Sequence, residues 1–156
     1  MKILLATDGS DYSKAAVKAV ADRPWPEDSK VRIISAMETA YVPTTEGWVL
    51  PDSYYDDIEK AARAQAEAAV RDAVEQIRSG KTAGLEIVGE IKRGTARNVI
   101  LDEAEKWDAD LIVLGSHSYG GLQRFLLGSV SQAVAMHAHC SVEIVRRREV
   151  GNGKAI

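Results

Sequence analysis

The sequence predicts a single α/β domain built on a largely parallel sheet, and three observations carry that reading. Apolar runs of strand length alternate with helix-period segments along the whole chain, the pattern of repeated strand and helix units. Several of these runs are apolar without alternation, as strands covered on both faces are. The chain has 156 residues, 46% hydrophobic and 28% charged, which is enough for one core and too little for two.

Five strands are readable, beginning with Lys2 to Thr7, where Ile3, Leu4, Leu5 and Ala6 run apolar and Asp8-Gly9-Ser10 stops the run. Ser10 is a helix N-cap by residue type, and Ala15, Ala16, Ala19 and Val20 follow at helical spacing until Arg23-Pro24-Trp25-Pro26 ends the helix. The second strand is Lys30 to Met37. From Glu38 to Pro51 no period survives, and Pro43, Gly47 and Pro51 mark a long loop that leaves a central strand, the place for a lid or a partner surface. Ser53 to Arg78 reads as one helix whose packing face, Ile58, Ala62, Ala66, Ala69, Ala73 and Ile77, is mostly alanine and lets it lie close to the sheet. Gly80 and Gly84 flank the next turn, Leu85 to Ile91 is the third strand, and Gly94-Thr95 opens a helix through Ala96, Val99, Ile100, Ala104 and Trp107 that Asp108-Ala109-Asp110 ends. Leu111 to Leu114 is the fourth strand, a short helix follows the segment from Gly115 to Ser131, and Ser141 to Val145 is the fifth strand, with a polar tail behind it.

Composition excludes several functions. Lys plus Arg is 20 and Asp plus Glu is 23, a net charge of −3, so no global positive field exists to hold DNA or RNA. No run approaches the roughly 20 apolar residues of a membrane span, and Met1-Lys2-Ile3 leads straight into a strand without a cleavage-site pattern, so a soluble, unprocessed protein is expected. The single cysteine, Cys140, forms no intrachain disulfide, and a reducing cytoplasm is the expected compartment.

Ligands of an open parallel sheet bind outside the carboxyl ends of its strands. Two such ends stand out: Thr7-Asp8-Gly9-Ser10, and Gly115-Ser116-His117-Ser118-Tyr119-Gly120-Gly121, which closes with Leu127-Gly128-Ser129-Val130-Ser131 at a helix start. The second is composed like an anion cradle, with glycines for close backbone approach and a helix N-terminus for unpaired donors. The plainer account, in which the glycines supply only turns and a cap, stands beside it. No Gly-x-x-x-x-Gly-Lys-Ser/Thr loop and no Gly-x-Ser-x-Gly elbow is present, which disfavours a Walker-type ATPase and a serine hydrolase. His137, His139 and Cys140 sit too close in sequence to share a helix face as metal ligands, and Cys140 reads as a small apolar residue. Arg146-Arg147-Arg148 reads as a solvated flank, and Arg124 is the better phosphate candidate.

Gly115-x-x-Ser118, nine residues, then Gly128-Ser129 resembles the universal stress protein pattern Gly-x-x-Gly, nine residues, Gly-Ser/Thr. The opening from Ile3 to Ser10, the Arg93-Gly94-Thr95-Ala96 turn, the run from Phe125 to Ser131 and the ending from Cys140 to Arg146 resemble the same family in order. The resemblance spans nearly the whole chain and leaves out only the loop from Glu38 to Ser53.

This resemblance implies a doubly wound, Rossmann-like sheet of five parallel strands in the order 3-2-1-4-5 with helices on both faces, similar to adenine nucleotide alpha hydrolases. It implies a stress protein domain over residues 1–147 and a tail over 148–156. In nucleotide-binding members Asp8 would hold the ribose, Ala36 would pair with adenine, and Ala6 and Thr7 would line the cleft. Gly115 would lie near the ribose and Ser116, His117, Ser118, Tyr119, Gly120 and Gly121 would wrap the phosphates. Gly128, Ser129, Val130 and Ser131 would present donors to the terminal phosphates of ATP, or ADP or AMP would take its place, with Mg²⁺ accompanying the triphosphate. The match departs at Ser118, where the family has glycine; a positive φ there would cost serine about 1–2 kcal/mol, unless Gly120 or Gly121 supplies the flexible backbone. The expectation is a cytoplasmic stress-response sensor, homodimeric through Ser141 to Val145, without nucleic-acid or membrane partners. A dimeric interaction module that has lost nucleotide binding is the alternative, and a weak ATPase using Asp8 and His117 is a third.

Overall fold

In the computed structural model, residues 1–38, 52–82, 84–117 and 127–147 are described. The elements follow the chain as β1 (Lys2–Ala6), α1 (Asp11–Asp22), β2 (Lys30–Met37), α2 (Asp52–Arg78), β3 (Glu86–Arg93), α3 (Ala96–Trp107), β4 (Leu111–Gly115), α4 (Ser129–His137) and β5 (Ser141–Val145). The five strands form one parallel sheet in the order β3-β2-β1-β4-β5. The loop read from Glu38 to Pro51 and the tail from 148 to 156 fall almost wholly outside the described residues.

Strand periodicity sorts the core into two layers. Ile3 and Leu5 of β1, Val31 and Ile33 of β2, and Leu111 and Val113 of β4 point to the face covered by α1 and α2, where Val17, Val20, Ala73 and Ile77 meet them. Leu4 and Ala6, Ile34, and Ile112 and Leu114 point to the opposite face, under Ile100 and Ala104 of α3 and Val134 of α4. The uninterrupted apolar runs are thus central strands buried from both sides. The alanine face of α2 packs as expected from Ala66 onward, with Ala66, Ala69, Val70, Ala73 and Ile77 buried. At 1.5 Å per residue this helix is about 40 Å long, and its first turns, with Tyr54 and Tyr55 exposed, carry little packing.

Several boundaries differ from the sequence reading by one or two residues; α2 begins at Asp52 and β3 at Glu86. β3 continues through Lys92 and Arg93, because Ala36 and Met37 of β2 supply backbone partners in register whatever the side chains are. β4 gains Gly115, opposite Val145. β1 ends at Ala6, although the Thr7 N–H still donates to the Ile34 carbonyl at 2.9 Å. Ser10 caps α1 as its residue type predicts, accepting from the Ser13 N–H at 3.3 Å. Among the described residues no helix is long and apolar enough to cross a membrane.

Candidate functional site

Because β1 lies between β2 and β4, the chain leaves its carboxyl end toward one face and leaves the end of β4 on the other side, opening a crevice at the reversal of strand order. A cleft fills this position. Its walls are Ala6, Thr7 and Asp8 after β1, Ile34 and Ala36 from β2, Leu114, Gly115 and His117 from β4, and Gly128, Val130 and Ser131 at the start of α4. Ser13 of α1 and Ala96 and Ile100 of α3 complete it.

The β1 side is a hydrogen-bonded turn. The Asp8 Oδ1 accepts from the Ser10 N–H at 2.9 Å, closing an Asx turn in which Gly9 takes φ +78°. The Ser13 hydroxyl accepts from the Thr7 hydroxyl at 3.2 Å and from the Asp8 N–H at 3.3 Å, and donates to the Ser10 carbonyl at 3.0 Å. One Asp8 oxygen is therefore committed to the fold. The other carries no hydrogen bond among the described residues and is available to a ligand hydroxyl.

The β4 side is fixed by a pin across the base of the glycine-rich segment. The Gly128 N–H donates to the Ser116 carbonyl at 2.8 Å, and the buried Ser131 hydroxyl lies 3.0 Å from the same carbonyl and 2.9 Å from that of Gly128. Two donors expected to meet phosphates are thus turned inward. The N–H groups of Ser129, Val130 and Ser131, the first three helical positions of α4, have no intrahelical acceptor and no other among the described residues. Gly128 itself is extended, with φ −62° and ψ 155°. Its missing side chain matters for contact: a Cβ there would sit 3.2 Å from the His117 Cα. At Gly115 a Cβ would lie 2.6 Å from the Tyr12 carbonyl carbon and oxygen, so this glycine lets α1 press against the end of β4. This packing role is neither the turn nor the cap that the plainer account gave the glycines.

Of the residues expected at the site, Ala6, Thr7, Asp8, Ala36, Gly115, His117, Gly128, Val130 and Ser131 line one cleft. Ser116 lies behind it, buried, with its N–H on the Val145 carbonyl at 3.0 Å. Ser129 is exposed at the first turn of α4. Ser118, Tyr119, Gly120, Gly121 and Arg124 lie outside the described residues. Ser13, Ile34, Ala96, Ile100 and Leu114 were not expected; Ala96 and Ile100 stand four apart at the start of a helix, a spacing that puts both on one face. No Lys or Arg lines the cleft among the described residues, and Asp8 is its carboxylate.

The remaining candidates fall away from the cleft. Burial pushes the Cys140 thiol up, with the Asp110 carboxylate adding to the effect, so thiolate is scarce at neutral pH. His137 and His139 are exposed. Arg147 pairs with Asp11 at 2.7 Å on the outside of α1.

The sequence model of the universal stress protein family matches residues 1–146. A universal stress protein of Methanocaldococcus jannaschii is 33% identical over 149 residues, covering 94% of this chain and 82% of its own. The structure of universal stress protein UspA from Lactobacillus plantarum superposes with a TM-score of 0.76 at 27% identity, covering 94% of this chain and 97% of that one. A universal stress protein crystallised in complex with cAMP superposes with a TM-score of 0.61 at 25% identity, covering 93% and 96%.

Proposed function

The chain belongs to the universal stress protein family, and from that membership we propose that it binds an adenine nucleotide in the cleft between the ends of β1 and β4 and acts as a stress-response sensor or regulator. The observation that carries the reading is the convergence of three unlike surfaces on one cleft. Ile34, Ala36, Ala96, Ile100 and Leu114 form an apolar wall suited to a purine. The uncommitted oxygen of Asp8 suits a ribose hydroxyl. The open N–H groups at the start of α4 suit phosphate oxygens, helped by the helix dipole. That a relative of the same fold was crystallised with cAMP supports the adenine class.

ATP, ADP and AMP share the base and ribose contacts and differ at the phosphates. A triphosphate would bring Mg²⁺, held chiefly through its own oxygens as this ion commonly is in nucleotide sites. Among the described residues no trio of His, Cys, Asp or Glu gathers to hold a metal. We also assign the dimer contact to β5, the sheet edge beyond β4, whose outer backbone groups have no strand partner among the described residues. A cytoplasmic setting accords with the single cysteine.

The test is direct. Denaturing the purified protein and weighing the released small molecules should reveal an adenine nucleotide, and calorimetric titration of the stripped protein should restore it. No adenine compound released and no heat on titration would overturn the reading in favour of an interaction module.

A further inference from the structure

The first turn of α3 is capped from another strand. Its N-cap residue, Thr95, makes no side-chain bond to the helix, although threonine at that position commonly does. Instead the Ala96 N–H, the first of the helix, donates to the Glu38 Oε1 at 2.8 Å, 58 residues away in sequence. A carboxylate suits this place, since it meets an unpaired donor and the positive end of the helix dipole together. Glu38 directly follows β2, and beside this link the Gly94 N–H donates to the Met37 carbonyl at 3.1 Å, with Gly94 at φ +139° making the turn. Two walls of the cleft are joined here: Ile34 and Ala36 from β2, and Ala96 and Ile100 from α3. Ala96 and Ile100 stand four apart, so the place of the first helical turn sets the place of both. Two turns on, Glu103 ties the same helix to Arg32 of β2 and Lys92 of β3. That later anchor is buried and made by two cations, whereas the one at the cleft is a single bond to an exposed side chain. Losing it frees the start of α3 and leaves the rest of the helix in place.

We infer that Glu38 is a positioning residue for the nucleotide base: through the Ala96 amide it holds the α3 wall of the cleft at the separation from Ala36 and Ile34 that the base requires. This rests on the adenine-nucleotide reading above and adds what sets its base side. Glu38 acts without lining the cleft itself. With the link broken, only the fraction of molecules whose α3 start is in place binds, and apparent affinity falls by that fraction. The loss is the same for ligands with and without a phosphate, because the turn after β1 and the start of α4 are held by bonds of their own.

Adenosine and AMP are titrated by calorimetry into the full chain as wild type, Glu38→Ala and Glu38→Gln. Glu38→Ala should weaken both about tenfold, the scale of one net hydrogen bond, and leave the ratio of the two affinities unchanged. Glu38→Gln keeps an oxygen that accepts from the Ala96 N–H and should recover most of the loss. Hydrogen exchange of the Ala96 amide, followed by NMR, reads the link itself. It should quicken in Glu38→Ala while the Ile100 amide, bonded within the helix, stays as it was. In the wild type adenosine should slow Ala96 exchange, because a ligand that binds only the formed wall keeps it formed, and that measurement needs no variant. Wild-type affinity in Glu38→Ala whatever its unfolding midpoint, a loss confined to AMP, no recovery in Glu38→Gln, or an Ala96 amide that adenosine does not slow overturns the positioning role and leaves nucleotide binding standing. No binding of adenosine or AMP by the wild type overturns the nucleotide reading and this inference with it.

Discussion

Arg32, in the middle of β2, forms an ion pair with Glu103 on the buried side of α3. The same guanidinium lies over the Trp107 ring, 4.5 Å from its centroid, and Lys92 of β3 reaches the second Glu103 oxygen at 3.3 Å. One acidic side chain therefore ties α3 to two strands. Burial pushes the Glu103 carboxyl up, but hydrogen bonds from Arg32 and Lys92 outweigh it and hold the group below its ordinary range.

A carboxyl depressed in the folded state adds stability that is present above its unfolded pKa and is lost as pH falls through its folded one. For Glu103 that stability should be complete above about pH 5 and should fade below about pH 4, where a free glutamate takes up its proton. Glu103→Ala should cost about 2–3 kcal/mol at neutral pH, since it strands Arg32 in a half-buried place. Urea unfolding of both proteins at several pH values checks this. A variant as stable as the parent at pH 7, or a difference that does not shrink on acidification, would show the pair to be inert.

At Gly115 the close approach of α1 leaves no room for a methyl group. Gly115→Ala should destabilise the protein by about 1–3 kcal/mol through overpacking, because the atoms in the way are Tyr12 backbone and not a flexible side chain. Chemical denaturation reads the loss, and an unchanged midpoint would mean that the first turn of α1 yields freely.

Phosphate capture at α4 is tested by Gly128→Val and Ser129→Ala. The valine should abolish nucleotide binding by forcing His117 and Ser116 away from the helix start. The alanine should cost about 1–3 kcal/mol if the Ser129 hydroxyl bonds a charged phosphate. Calorimetry on folded variants decides; unchanged affinity in both would place the phosphates elsewhere.

Association through β5 should make the parent a dimer in light scattering. Val142→Pro, which removes a backbone donor and strains the edge strand, should shift it toward monomer. A parent that is monomeric at micromolar concentration would remove the assignment.

Most of the fold was legible because apolar continuity and helical period report burial directly. The unbroken run from Ile3 to Ala6 could only be a central strand, and the alanine steps of α2 could only be a helix lying close to its neighbours. The end of β3 was not legible, since Lys92 and Arg93 join the sheet through backbone bonds that their side chains do not announce. In the site, Asp8 and Gly115 were visible as residue types at strand ends and Gly128 as one at a helix start. The cost of Gly115 against Tyr12, and the inward turn of the Gly128 N–H and the Ser131 hydroxyl, depend on long-range approach that no local pattern encodes. Ser13 was hidden for the same reason: it looks like an ordinary helix residue until Thr7 and Asp8 fold back onto its hydroxyl.

The bond between the Gly128 amide and the Ser116 carbonyl makes the stretch between them a cassette. Both its borders are anchored, one to β5 through the Ser116 N–H and the other to the first turn of α4. Loop-closure entropy rises by only about 0.6 kcal/mol for each doubling of length, so two borders held this close tolerate inserts of different length between them at little entropic cost. The two borders act as fixed sockets: a different insert can be grafted between them while the apolar wall of the cleft and Asp8 stay as they are.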